Sequence, residues 1–162
     1  ARIIDLPSSA KGIGSNVRIP DLKKNIPDNV AAAINLYPPH LRDDLLACRR
    51  LIFKAAEVHT EIGPVTETLK WGQPSYLTEV TRAGSTLRLA PSGDGRHAAL
   101  YVNCNTNLIE QFRQFYPTRF DFHGAREVAL QGPVSQVTEE LTHCIALTLT
   151  YHFRKRLGQK QR

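Results

Sequence analysis

A carboxylate falls on the apolar side of an alternating run. In Val65-Thr66-Glu67-Thr68-Leu69-Lys70-Trp71, Glu67 shares the parity of Val65, Leu69 and Trp71, so a strand here turns it toward the core. An unpaired buried carboxylate is costly. Two readings are open: an ion pair with an arginine such as Arg88 or a place at the rim, or a carboxylate held in a pocket as a ligand or base. A few residues on, Trp71, Pro74 and Tyr76 make a W-G-x-P-x-Y bend. Its aromatics either pack the bend or wall a small-ligand site. Arg88, His97, Tyr101 and Asn103 can share the polar face of a sheet by alternation and offer that ligand hydrogen bonds.

Other chemistries find less support. There is no C-x-x-C, no H-E-x-x-H and no His-x-x-x-His pair, so no metal site is expected. His143 and Cys144 are adjacent and point to different sides of a helix. Cys104 and His97 differ in strand parity, which separates them as a nucleophile and base; Cys104 reads as a small buried hydrophobe. The loop Pro91-Ser92-Gly93-Asp94-Gly95-Arg96 lacks the lysine and the strand-to-helix setting of a phosphate loop. No catalytic residue and no cofactor are expected.

The elements that position these residues emerge from periodicity. Asp28 can cap a short helix through Val30, Ala33 and Ile34, ended by Tyr37-Pro38-Pro39. Leu41, Leu45, Cys48, Ile52 and Ala55 recur at four and three over 39–59, one face of a long helix, with Arg42, Arg49 and Lys54 off the stripe. The period then becomes two. A strand over 65–71, a break at Gly72-Gln73-Pro74, and a second strand over 76–80 come first. A hairpin comes next, with Leu87 and Leu89 facing Ala98, Leu100, Val102 and Cys104. A helix over 107–116 places Leu108, Ile109, Phe112 and Phe115 inward. Short strands carry Phe120, Phe122, Val128 and Leu130, and a last helix, capped by Ser135, carries Val137, Leu141, Ile145 and Leu149. The expected class is α+β, a curved antiparallel β-sheet packed against two long helices and a shorter one.

The runs Glu67-Thr-Leu-Lys-Trp-Gly-Gln-Pro-Ser-Tyr76 and Arg96-His-Ala-Ala-Leu-Tyr101, with the helices before and after them, resemble the YdhG-like family, also known as domain of unknown function 1801, a bacterial-type domain. The resemblance covers residues 29–157. It implies the same small α+β fold and no settled activity. Some relatives are described as frataxin-like iron carriers, which use a ridge of carboxylates on the first helix and strand. The long helix here mixes Arg42, Arg49, Arg50 and Lys54 with Asp43, Asp44 and Glu57, a departure from that ridge.

Composition sets the remaining bounds. The chain has 162 residues, long enough for one domain with a core. No apolar run reaches the roughly 18 residues of a membrane span. Three cysteines at wide spacing fit free thiols in a cytoplasmic setting better than a disulfide framework. The net charge of +6 is uneven. Residues 1–28, read as a tail or a strap held by the domain or by a partner subunit in a homodimer, hold five basic and three acidic residues. The stretch 154–162 holds Arg154, Lys155, Arg156, Lys160, Arg162 and no acid, while the body between has eleven basic and twelve acidic residues. Residues 158–162 are expected as a basic tail, a solvated end or a sequence-independent contact for nucleic acid. The leading expectation is a non-enzymatic domain that binds a small ligand or a protein partner on the sheet face. An iron carrier and a nucleic-acid accessory protein are the alternatives.

Overall fold

The computed structural model describes residues 26–160. The tail or strap expected over 1–28 therefore lies outside the described residues except at its last three positions, and Arg162 lies outside them too. Five helices and six strands run in the order α1 (Asp28–Asn35), α2 (Pro39–Val58), β1 (Thr66–Lys70), β2 (Gln73–Leu77), β3 (Leu87–Pro91), β4 (Ala98–Tyr101), α3 (Leu108–Phe115), β5 (Asp121–His123), β6 (Glu127–Ala129), α4 (Thr138–Leu149) and α5 (Tyr151–Lys160). The strands form one open antiparallel sheet in the order β1-β2-β3-β4-β6-β5. This is the α+β class expected.

The core lies between the sheet and α2 with α4. The apolar stripe of α2 is buried from Leu41 to Ala55, and Leu141, Cys144, Ile145 and Leu149 of α4 are buried with it. They close on Leu87, Leu89, Leu100 and Val128. Each such side chain removed from water stabilises by roughly 1.5–3 kcal/mol, so this contact decides which sheet face is covered. Pro39 at the first turn of α2 gives up no hydrogen bond. Pro27 takes the cap position of α1, leaving Asp28 in the first turn, where its charge favours the helix dipole. Ser135 sits in a short 3-10 turn, and α4 begins later, after Val137.

The last helix is two helices. α4 ends at Leu149 and α5 begins at Tyr151, with Thr150 non-helical between them. The hydroxyls of Thr148 and Thr150 donate back to the Cys144 and Ala146 carbonyls at 2.9 and 2.7 Å, a pattern that bends helices. The β2–β3 connection docks into the bend. Ser85 N–H donates to the Thr148 carbonyl, and Phe153 N–H donates to the Ala83 carbonyl. Gly84 allows this approach, since a Cβ there would lie 2.4 Å from the Leu149 backbone. The same helix α5 runs on to Lys160, into the stretch expected as a tail. Phe115, expected inward, is exposed at the end of α3.

The first hairpin is tighter than its sequence suggests. Lys70 pairs with Gln73 and Leu69 with Pro74, so the break is only Trp71-Gly72, and β2 already contains Pro74. Trp71 and Gly72 have φ of 57° and 73°, the positive values that a two-residue turn of the primed type requires. The β2–β3 ladder comprises only Ser75↔Arg88 and Tyr76↔Leu87. Pro74 thus stands where its missing N–H breaks no bond to β3. Register then sets two rows. Glu67 and Tyr76 face α2; Thr68, Ser75, Arg88, Tyr101, Glu127 and His123 lie across the opposite face.

Candidate functional site

Glu67 meets Arg49, not Arg88. Arg49 Nε and Nη2 donate to Glu67 Oε2 and Oε1 at 2.6 and 2.8 Å, a two-pronged pair with side chains 5% and 6% exposed. Tyr76 OH donates to the same Oε2 at 2.9 Å. Phe53 closes the group, its ring 4.8 Å from the Arg49 guanidinium carbon and edge-on to Tyr76. Burial, then the Glu67 charge, pushes the Tyr76 phenol far above its usual range, so it remains a donor. Both carboxylate oxygens are satisfied within the protein. Arg49 lies beside the apolar stripe of α2, four residues after Leu45 and three before Ile52, and is buried rather than displayed. Tyr76 and Pro74 therefore belong to the packed interior, and the Glu67 side chain is withdrawn from water beside them.

The opposite face carries a different kind of charge. A cleft of about 250 Å³ is lined by Lys70 and Trp71 of the first hairpin, Thr86 and Arg88 at the start of β3, Val102, Asn103 and Cys104 after β4, and Arg126 before β6. It gathers three cations and no carboxylate. Among the described residues no acid lies within ion-pairing distance of Lys70, Arg88 or Arg126. Arg88 Nη1 donates to Gln73 Oε1 at 2.6 Å, and its guanidinium stands over Tyr101, 5.7 Å from the ring centre. Arg126 Nη2 donates to Cys104 Sγ at 3.3 Å, and its backbone carbonyl accepts from Val102 N–H. These are neutral contacts that position the cations without cancelling their charge. Trp71 stands at the rim, 90% exposed.

Of the residues singled out from sequence, Trp71, Arg88 and Asn103 line this cleft. Tyr101 flanks it as the cross-strand partner of Arg88 and donates its hydroxyl to the Pro91 carbonyl at 2.8 Å. Burial, then nearby Glu127, pushes the Tyr101 phenol up to about 12. His97 lies apart in the β3–β4 hairpin, its N–H donating to Ser92 Oγ. Cys104 is exposed rather than buried. β4 stops at Tyr101, and Asn103 Oδ1 accepts from Asn105 N–H in a turn that carries residue 104 out of the strand. Strand parity sets Lys70 with Thr66 and Thr68 on the side away from Glu67, whereas Arg126 carries no periodic signal. Each sits beside a bend, and only the strand order places them together.

A larger groove, about 660 Å³ between α4, α5 and the end of α2, is mainly apolar. Several of its polar groups are already engaged, though Glu139 stands exposed on its wall. Tyr116 OH pairs with His143 Nδ1 at 2.6 Å, and Arg154 donates to the Leu147 carbonyl, Thr150 Oγ1 and Gln111 Oε1. Burial, then the Arg154 charge, lowers the His143 pKa. Arg154 is thus a structural brace, Arg156 donates to the Arg82 carbonyl, and Lys155 stands over Tyr151. Through Lys160 the basic stretch is helical with much of its charge held locally, Lys160 itself being exposed. Among the described residues no group of three His, Cys, Asp or Glu side chains gathers as a metal set, and no helix is long and apolar enough to cross a membrane. Comparison with protein-family models, curated proteins and solved structures returned no match.

Proposed function

We propose that this protein is a binding domain for a small anionic ligand, held in the cleft between the first hairpin and the β4–β6 side of the sheet. The observation that carries this reading is the convergence of Lys70, Arg88 and Arg126 on one concavity without a carboxylate partner. Like charges repel, and gathering three of them costs stability that an anion restores. Arg88 and Arg126 each present a planar fork suited to phosphate or carboxylate oxygens, while Lys70 adds a mobile point charge. Asn103 and Thr86 contribute neutral polar groups of the kind that orient a bound anion.

Calorimetric titration of the full chain with inorganic phosphate, pyrophosphate and ribose 5-phosphate tests the reading. Binding should weaken by tenfold or more in Arg88→Ala and again in Arg126→Ala, since a hydrogen bond to a charged group contributes about 1.5–3 kcal/mol. Affinity unchanged in both variants, or no heat with any of the three anions, would overturn it.

A further inference from the structure

The chemistry of the ligand can be narrowed, and the narrower description rests on the anion-binding reading. Trp71 is the most exposed of the large apolar side chains in the described residues. It also occupies a left-handed backbone position, φ 57°, which Asn or Gly takes at little cost and a bulky residue does not. The indole packs nothing that would compensate for the strain. A costly residue kept in a costly conformation at the lip of a cleft signals use of its ring. Gly72, at φ 73° with nothing within 4 Å of a would-be Cβ, completes a two-residue turn that fixes where that ring stands.

Size points the same way. The cleft, about 250 Å³, is smaller than the roughly 300–1,000 Å³ that encloses a drug-sized ligand. It admits the anionic end of a ligand and leaves the remainder at the rim, beside Trp71. An indole face exposed to water takes a flat, π-rich group. We infer that the ligand is a nucleotide: its phosphate rests on Lys70, Arg88 and Arg126, and its base stacks on Trp71. Stacking on an indole is tolerant of base identity, because every base has a π-face.

Calorimetry on the full chain with inorganic phosphate, ribose 5-phosphate, AMP and UMP separates the two parts of the ligand. AMP should bind about tenfold or more tightly than ribose 5-phosphate, the increment that one stacked base supplies, and should quench Trp71 fluorescence. Trp71→Ala should bring AMP down to the ribose 5-phosphate level while leaving ribose 5-phosphate unchanged, and Trp71→Phe should restore part of the preference. Trp71→Asn, which suits the turn, guards against a folding artefact and should behave as Trp71→Ala. An eight-residue oligouridylate distinguishes the source. Affinity equal to that of UMP assigns a free nucleotide, and a large gain that falls steeply with salt assigns a single strand. Ribose 5-phosphate binding that depends on Arg88, with AMP no tighter, would overturn the nucleotide and leave the anion cleft standing. A preference for AMP that survives Trp71→Ala would likewise overturn stacking on this ring, and no binding of any phosphate would overturn both readings.

Discussion

Two arginines on opposite sides of the same sheet show opposite uses of one side chain. Arg49 approaches from α2, loses nearly all contact with water and finds both oxygens of Glu67. Arg88 lies on the other side, in the row Thr68-Ser75-Arg88-Tyr101, and meets only neutral Gln73 and the Tyr101 ring. The first charge is cancelled inside the protein and the second is not. A closed ion pair tells of folding; a set of positioned, uncancelled cations tells of something to be bound. Substitutions on the α2 side should therefore lower stability and leave binding alone, and those on the other side should change binding without a loss of stability.

The largest test is Arg49→Met. It leaves the Glu67 carboxylate buried without its partner and should cost about 3–5 kcal/mol in urea unfolding. Adding Glu67→Leu should recover most of that loss, because an apolar pair of similar volume replaces the ion pair. A double variant as unstable as the single would break the contrast between the two arginines. Tyr76→Phe, which removes one donor to a charged acceptor, should cost about 1.5–3 kcal/mol and leave anion affinity unchanged. On the other face, Trp71→Asn should raise stability by about 1 kcal/mol through relief of the left-handed strain, while Arg88→Ala should change it by less than about 0.5 kcal/mol.

The cysteines give the smallest and cheapest test of the same division. Cys104 should react with a disulfide reagent in the native protein. Cys48 and Cys144, whose thiols burial pushes up to about 12, should react only on unfolding. The same burial sets a pH dependence. In the unfolded chain these thiols ionise near their ordinary value of 9.0, whereas in the folded chain they stay protonated. Stability contributed by their burial is intact below pH 9 and is lost progressively as the pH rises toward 12. Thermal unfolding at pH 7, 9 and 10.5 should show that decline. A flat profile would place the two thiols nearer to solvent than the α2 side allows.

Much of the scaffold is legible in the sequence because it rests on local periodicity. The stripe from Leu41 to Ala55 and the alternation through 65–71 each imply one face, and the structure buries the corresponding residues of α2. The partner of Glu67 is harder to see, although Arg49 comes four residues after Leu45 and so borders the stripe. Parity fails at Cys104 because it presumes that a strand continues, and an Asn-led turn ends this one early. The W-G-x-P-x-Y run reads as one motif, yet the hairpin divides it, with Pro74 and Tyr76 packed and Trp71 in water. Lys70 and Arg126 are 56 positions apart in the chain. Only the β1-β2-β3-β4-β6 order brings them to one cleft, and no local pattern records that.

The loop at Ala83-Gly84-Ser85 bears on how the chain reaches this state. Ser85 and Thr148 are separated by 63 positions, and Ala83 and Phe153 by 70, so both bonds close long loops whose entropy is lost before the contact rewards it. Residues 138–160 can coil early, since helix formation is local and fast. Their bend cannot lock until the β2–β3 connection is in place. The C-terminal helices thus act as a latch that closes late, and opening it exposes Leu149 and frees the Ala83 and Thr148 carbonyls together. Amide exchange at Ser85 and Phe153 should accordingly share one opening event, although one belongs to a loop and the other to a helix.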